Sequence, residues 1–109
     1  ELAEQYDLID ALETSFPMGS MTGAPKISAM QLIDQHENFN RGLYSGSVGY
    51  ISPTGDADFN VIIRSILYSS QLQRAEVKVG GAITIHCDAE EEYQECLLKA
   101  EKVIAASHD

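Results

Sequence analysis

The chain has 109 residues, 44% of them hydrophobic, which suits one domain or part of one. Its formal net charge of −10 argues against nucleic acid or an anionic membrane surface as a partner, and we expect neither. No apolar run approaches the roughly 20 residues that span a bilayer. A small anionic ligand stays compatible with this charge, because a local cluster of cations and backbone N–H groups can override it.

The chain carries two cysteines, Cys87 and Cys96, which form no CxxC motif and are too few for a disulfide scaffold. We interpret them as a reduced pair and expect a cytoplasmic protein. The chain begins at Glu1, without Met and within a helical pattern. We therefore expect it to be a piece of a longer protein.

The first half of the chain predicts two helices on either side of a glycine-punctuated turn. The first helix runs from Glu1 to about Thr14, and the second ends near His36. Between them, Gly19–Lys26 places Thr22 as a candidate N-cap and Pro25 in the first helical turn. Such a helix start is either an anion site or an ordinary junction.

The second half changes to a period of two and predicts three strands followed by a helix. Turn residues separate the strands, Gly80-Gly81 interrupts the third, and Asp88 can cap the helix, which extends to about Ala106. Short connections predict an α+β fold, a three-stranded antiparallel meander with helices on one face. The predicted strands are Leu43–Ser52, Ala57–Tyr68 and Leu72–Ile85.

An arginine occupies the centre of the predicted middle strand. Arg64 follows the β-branched run Val61-Ile62-Ile63, and a central strand position is normally at least half buried. Its guanidinium either forms a salt bridge with a neighbouring acid or is held rigid to bind a ligand carboxylate with two hydrogen bonds.

The last helix places Glu92, Glu95 and Lys99 within an arc of roughly 60°, at about 100° per residue. These residues form either an acid–base ladder on a solvated face or a site where two carboxylates share Mg²⁺ beside an ammonium group. An apolar stripe lies next to them. It consists of Tyr93, Leu97, Ala100 and Ile104.

The Gly80-Gly81-Ala82 segment forms a third candidate feature. Its small residues either make an ordinary bulge or let backbone N–H groups approach a ligand oxygen.

Six stretches, in order along nearly the whole chain, resemble the C-terminal part of chorismate-utilising enzymes, most of all component I of aminodeoxychorismate (para-aminobenzoate) synthase. The resemblance implies that the chain is a fragment of the larger chorismate-binding α/β sandwich. The stretches are Phe16–Lys26, Ala29–Asp34, Arg41–Tyr50, Asp58–Arg64, Val79–Ile83 and Glu92–Ala100.

The resemblance also implies a role for each candidate residue. Arg64 and Tyr44 would hold a chorismate carboxylate, helped by backbone groups of Gly80, Gly81 and Ala82. Ser20 would lie at the substrate, Glu95 would bind Mg²⁺ with assistance from Glu92, and Lys99 would lie nearby. Ammonia would come from a separate glutamine amidotransferase subunit. The upstream part of the domain would supply further catalytic groups, so residues 1–109 alone are expected to be inactive.

Two features differ from the family pattern. Gly80-Gly81-Ala82 stands where many members have Gly-x-Gly, and Cys87-Asp88 stands where Asp-Ser is usual. By contrast, Asp58-Phe59-Asn60 is more similar to the para-aminobenzoate branch than to anthranilate synthases. Three hypotheses remain open: an aminodeoxychorismate synthase fragment; a fragment of an anthranilate, isochorismate or salicylate synthase; and a free-standing small α+β domain that binds a partner or an anion without catalysis.

Overall fold

The computed structural model describes residues 2–108 and confirms the α+β class and the antiparallel strand pairing. By its contacts the chain divides into two compact units, one up to Val61 and the other from Ile62 onward. The described elements are α1 (Leu8–Ser15), α2 (Gly19–Thr22), α3 (Lys26–His36), β1 (Ser47–Ile51), β2 (Ala57–Val61), β3 (Ile66–Ser69), β4 (Arg74–Val77) and α4 (Ala89–Ala106).

Helix α1 begins later than the predicted Glu1, because Asp7 caps it. The Asp7 carboxylate accepts hydrogen bonds from the backbone N–H groups of Ile9 and Asp10, at 2.8 and 3.0 Å. The Asp10 carboxylate in turn accepts from the Asp7 N–H at 2.9 Å. This reciprocal capping box satisfies N–H groups that otherwise have no partner at a helix start.

The turn before α3 differs from the predicted arrangement. Residues Gly19–Thr22 form a single helical turn, α2, and Gly23 follows with a φ of 135°, a conformation that favours glycine. The prediction that Thr22 caps α3 was wrong, because its hydroxyl donates back to the Met18 carbonyl at 3.1 Å. Pro25 occupies the N-cap position instead, without a side-chain hydrogen bond.

The strands form two separate two-stranded sheets in the described part of the chain, rather than one three-stranded meander. In the first unit β1 pairs with β2, from Ser47 opposite Val61 to Ile51 opposite Ala57, around the predicted turn. In the second unit β3 pairs with β4. The predicted middle strand is divided because Arg64 has a φ of 51°, which no pleated strand accommodates.

None of the described hydrophobic side chains is buried, and Ile83 and Ile85 are 81% and 93% exposed. In α4 the half-buried positions are Glu92, Cys96, Lys99, Ala100 and Val103. Apart from Ala100, the apolar stripe of α4 is exposed within this unit. Its exposed members are Tyr93, Leu97 and Ile104, at 58%, 41% and 47%.

Helix α4 is where local sequence signals and structure agree best. The Asp88 carboxylate accepts from the N–H groups of Glu90 and Glu91 at 3.0 Å each, as the sequence predicts for an N-cap. The helix ends at Ala106, also as predicted. Within residues 2–108, the helices are all too short or too polar to cross a membrane. Neither Cys87 nor Cys96 forms a disulfide.

Candidate functional site

The carboxylate face of α4 lies against the Gly80-Gly81 segment of the same unit. The Lys99 ammonium donates a hydrogen bond to the Gly80 carbonyl at 3.1 Å and forms an ion pair with Glu95 at 2.6 Å. The space beside Gly81 is occupied by Glu92, since a Cβ at Gly81 would lie 2.5 Å from the Glu92 carboxylate oxygen Oε2. Five of the predicted site residues therefore form one cluster.

Glycine at position 81 permits this close approach of helix and segment. The same hypothetical Cβ would lie 3.7 Å from the Cys96 sulfur, so any side chain at this position would meet α4. Ala82 follows directly, outside any strand, and its own side chain is exposed. The segment thus places its backbone beside the Glu92 carboxylate, and its Gly80 carbonyl accepts a hydrogen bond from Lys99. That Gly80, Gly81 and Ala82 donate backbone hydrogen bonds to a ligand stays a prediction.

Lys99 carries a positive charge at neutral pH. Its hydrogen bond to Glu95 raises its pKa above the ordinary lysine value, partial desolvation opposes that shift, and the negative charges of Glu95 and Glu92 add to it. A lysine with a raised pKa cannot serve as a base near pH 7. In this position it can donate hydrogen bonds or stabilise negative charge.

The donor set on this face suits a hard cation but supplies only part of its coordination. Glu92 and Glu95 are carboxylates one helical turn apart, and Mg²⁺ commonly takes one or two protein carboxylates, completing its shell with water and substrate oxygens. No group of three or more metal-ligating side chains occurs within residues 2–108. A metal here would also compete with Lys99 for the Glu95 carboxylate.

Arg64 lies in a bend between β2 and β3 rather than within a strand, contrary to the prediction. Together with the last turns of α4, it lines an open hollow of about 470 Å³. Glu92 and Glu95 do not line this hollow. At 1.5 Å of rise per residue, Glu95 is about 10 Å along the helix axis from Lys102. The other lining residues are Ile66, Lys102, Val103, Ala106 and Ser107.

Lys102 is a second cation in the Arg64 hollow, and sequence reasoning missed it. Its spacing from Lys99, three residues, was the available signal, because positions i and i+3 are neighbours on a helix. The candidate charged groups of the second unit therefore lie at two places along α4. Glu92, Glu95 and Lys99 lie in its first two-thirds, and Arg64 and Lys102 lie at its C-terminal end.

Ser20 and Tyr44 belong to the first unit. Tyr44 is half buried and lines an open hollow of about 920 Å³, together with Phe16, Phe39 and Arg41 among others. Ser20 lies in α2, is exposed and does not line this hollow. A volume of this size is within the range of small-molecule sites, roughly 300–1,000 Å³.

Arg41 is the residue of the first unit whose importance the sequence did not reveal. It forms a bidentate ion pair with Glu37, at 2.8 and 2.5 Å, and its guanidinium carbon lies 5.8 Å from the centre of the Tyr44 ring. The i, i+4 spacing of Glu37 and Arg41 was the signal available in the sequence.

Comparison with known proteins identifies the family. Residues 1–105 match the family model described as chorismate binding enzyme. The chain belongs to the chorismate-binding enzyme family. The match covers both units and includes every predicted site residue, which confirms the resemblance found in the sequence.

The chain is similar to curated relatives of two kinds. Aminodeoxychorismate synthases of Streptomyces pristinaespiralis and Arabidopsis thaliana (the latter named as chloroplastic) are 45% and 42% identical, over 88% and 84% of this chain. Anthranilate synthase component 1 of Aquifex aeolicus is 42% identical over 97% of it. The aligned segments amount to 13%, 10% and 21% of those relatives, so the chain spans only a small part of their length.

Proposed function

We propose that the protein containing this chain is component I of an aminodeoxychorismate synthase. It would replace the 4-hydroxyl of chorismate with ammonia, giving 4-amino-4-deoxychorismate and water. Family membership supports chorismate as the substrate, and relatives named aminodeoxychorismate synthase support this branch. The non-catalytic alternative, a small α+β binding domain, is disfavoured by a family match that covers almost the whole chain.

The observation that carries the proposal is the cluster of Gly80, Gly81, Glu92, Glu95 and Lys99 in one unit of a chain from this family. A cyclic dicarboxylate requires charge neutralisation and hydrogen-bond donors around its carboxylates. Two acids that hold a divalent cation, a lysine and a bare backbone segment supply those groups.

Each residue of the cluster has a part in this proposal. Glu92 and Glu95 would hold Mg²⁺, which when bound neutralises a substrate carboxylate and favours departure of the hydroxyl group. Lys99, protonated at neutral pH, would donate a hydrogen bond to a substrate oxygen beside the metal. The backbone of Gly80, Gly81 and Ala82 would offer donors to the same carboxylate.

The remaining predicted residues would bind and position the rest of the substrate. Arg64 would pair with a carboxylate through its planar guanidinium, and Lys102, which shares its hollow, would add a second positive charge. Tyr44 would donate its hydroxyl to a substrate carboxylate, and Ser20 would contact the substrate from α2. A glutamine amidotransferase subunit is the proposed source of ammonia.

A second candidate function is anthranilate synthesis. It is favoured by anthranilate synthases that are as similar to this chain, at 42% identity, as some of the aminodeoxychorismate synthases. Both reactions add ammonia to chorismate, but anthranilate formation adds at a different ring carbon and also releases pyruvate. The sequence Asp58-Phe59-Asn60 favours the first branch.

The deciding experiment supplies the natural protein with chorismate, Mg²⁺ and ammonium, and identifies the products by chromatography and mass spectrometry. We expect 4-amino-4-deoxychorismate without pyruvate. Anthranilate with an equal amount of pyruvate would assign the second branch, and isochorismate or salicylate formed without ammonia would refute amination. Unconsumed chorismate, with the protein shown to be folded, would refute the proposal altogether.

The proposed partner is tested with glutamine as the sole nitrogen source. We expect product only when a glutamine amidotransferase subunit is added, with free ammonium as the control that bypasses it. Equal turnover of glutamine without that subunit would contradict a separate source of ammonia.

A further inference from the structure

Arg41 joins three segments of the first unit through one guanidinium group. Its Nε and one terminal nitrogen donate to the two oxygens of Glu37, at 2.8 and 2.5 Å. Its other terminal nitrogen donates to the Met21 carbonyl in α2 at 2.8 Å and to the Ser45 hydroxyl at 3.2 Å. The side chain thereby connects the end of α3, the helical turn that carries Ser20, and the turn that carries Tyr44.

These contacts occupy most of the hydrogen-bonding capacity of Arg41. A guanidinium has five N–H donors, and four hydrogen bonds are directed to protein atoms. The Glu37 carboxylate also balances its charge, and this hydrogen-bonded pair raises the pKa of Arg41 while lowering that of Glu37. Arg41 is therefore poorly suited to bind a substrate carboxylate itself.

The turn that contains Tyr44 is held by hydrogen bonds to Arg41. The Tyr44 N–H donates to the Arg41 carbonyl at 3.1 Å, and the Gly46 N–H donates to the Leu43 carbonyl at 3.0 Å. Ser45, which receives a hydrogen bond from Arg41, is 5% exposed and has a φ of 70°. A non-glycine residue in this left-handed region is stabilised by its surroundings, and Arg41 supplies the hydrogen bond that holds it.

The Tyr44 ring lies beside this network. The Arg41 guanidinium carbon lies 5.8 Å from the ring centre, within the distance at which a cation attracts an aromatic face. A lysine could retain the charge here, but it could not reproduce the planar fork that binds both Glu37 oxygens while also reaching Met21 and Ser45.

We propose that Arg41, anchored by Glu37, is a positioning residue that fixes Tyr44 and the α2 turn relative to each other. The proposal rests on the proposed function only for what Tyr44 contacts, a carboxylate of the substrate. Arg41 itself does not touch the substrate. Its loss should therefore disturb the position of Tyr44 first, and substrate binding as a consequence.

The test compares Arg41→Lys with Arg74→Lys in the natural protein labelled with 3-fluorotyrosine. Arg74 is the matched control, because its side chain is 69% exposed and pairs only with Glu76 among the ion pairs found. Fluorine NMR follows the tyrosine signals, with the Tyr44 signal assigned by its loss in Tyr44→Phe. We expect Arg41→Lys to move the Tyr44 signal and to speed amide exchange in Gly19–Thr22, whereas Arg74→Lys does neither.

A second measurement follows chorismate kinetics in the same variants. We expect Arg41→Lys to raise KM about tenfold with a smaller change in kcat, because a misplaced binding group weakens the complex before it affects chemistry. Glu37→Gln keeps an acceptor but removes the charge, so it should move the Tyr44 signal in the same direction and by less.

The NMR result decides this proposal independently of the activity. An unmoved Tyr44 signal and unchanged exchange in Arg41→Lys would overturn it, even if the melting temperature falls. A moved signal with unaltered KM would refute only the contact of Tyr44 with the substrate. If the wild-type protein does not consume chorismate, the proposed function fails. The fluorine signal and amide exchange still show whether Arg41 positions Tyr44.

Discussion

Replacing Gly81 by alanine tests whether Glu92 and Glu95 bind a metal or only form ion pairs on the surface of α4. A Cβ at Gly81 would lie 2.5 Å from the Glu92 oxygen Oε2, whereas ordinary contacts begin at 3.4 Å. The Glu92 carboxylate must therefore retreat by about 0.9 Å, which is easy for the end of a flexible side chain. We expect Gly81→Ala to leave the fold intact, with a change in unfolding free energy within about 1 kcal/mol.

The same displacement should strongly weaken metal binding. Mg²⁺ requires near-octahedral oxygens at about 2.0–2.1 Å, so a carboxylate moved by almost 1 Å no longer coordinates well. We expect the Mg²⁺ affinity to fall about 10- to 100-fold, the range found when groups that orient metal ligands are changed. The assay is the Mg²⁺ dependence of chorismate turnover, accompanied by Mn²⁺ titration followed by electron paramagnetic resonance, which needs no activity.

Two controls make this prediction specific. Gly19→Ala is the matched substitution, since a Cβ there meets nothing within 4 Å. In a Glu92→Ala background the crowding disappears, so Gly81→Ala should have no further effect on metal binding. Unchanged metal affinity in Gly81→Ala, or an equal loss in both backgrounds, would refute a metal role for Glu92.

Three further predictions concern individual charges. Arg64→Ala should lower kcat/KM for chorismate by at least about 10²-fold, whereas Arg74→Ala should not; an undiminished value would remove Arg64 from the site. Glu95→Gln should raise the Mg²⁺ concentration needed for half-maximal turnover, and an unaltered titration would make the acids of α4 a surface ladder. The ion pair with Arg41 lowers the pKa of Glu37, so its stabilisation is present above about pH 4.3 and is lost as the pH falls through the lowered value. Glu37→Gln should therefore reduce the unfolding free energy by about 1 kcal/mol at pH 7 and by less at pH 3. Denaturant titrations at the two pH values measure this, and equal losses would contradict it.

Local signals in the sequence predicted local structure well. The Asp88 cap and the length of α4 depend on residues within a few positions, and both were found. The turn between β1 and β2 could equally be predicted, because Pro53-Thr54-Gly55-Asp56 consists of residues that favour turns. The structure agrees, since Gly55 adopts a φ of 89°.

Backbone irregularity was harder to predict. Nothing in the run Val61-Ile62-Ile63-Arg64 indicates that Arg64 leaves the strand region, since β-branched residues favour continuation of a strand. The positive φ at Arg64 divides the predicted strand and directs this residue to the hollow at the end of α4. Arg64 lines that hollow without Glu92 or Glu95.

The orientation of α4 shows a second limit of periodicity. The apolar stripe containing Tyr93, Leu97 and Ile104 is exposed within this unit, whereas Glu92, Cys96 and Val103 are half buried. The hydrophobic periodicity of a helix indicates only which of its faces is the most apolar. It carries no information on the neighbouring segment, where Gly80-Gly81 leaves room for the carboxylates to approach. The candidate metal face was therefore predicted by residue type, while its packing became visible only in the structure.

The most direct test of the metal site is a crystal structure of the natural protein soaked with Mn²⁺ and chorismate. Anomalous scattering locates Mn²⁺ without reference to activity. The account predicts one strong peak within coordination distance of Glu92 and Glu95, with a chorismate carboxylate on its open side. A peak elsewhere in the substrate pocket, with both carboxylates unliganded, would contradict it.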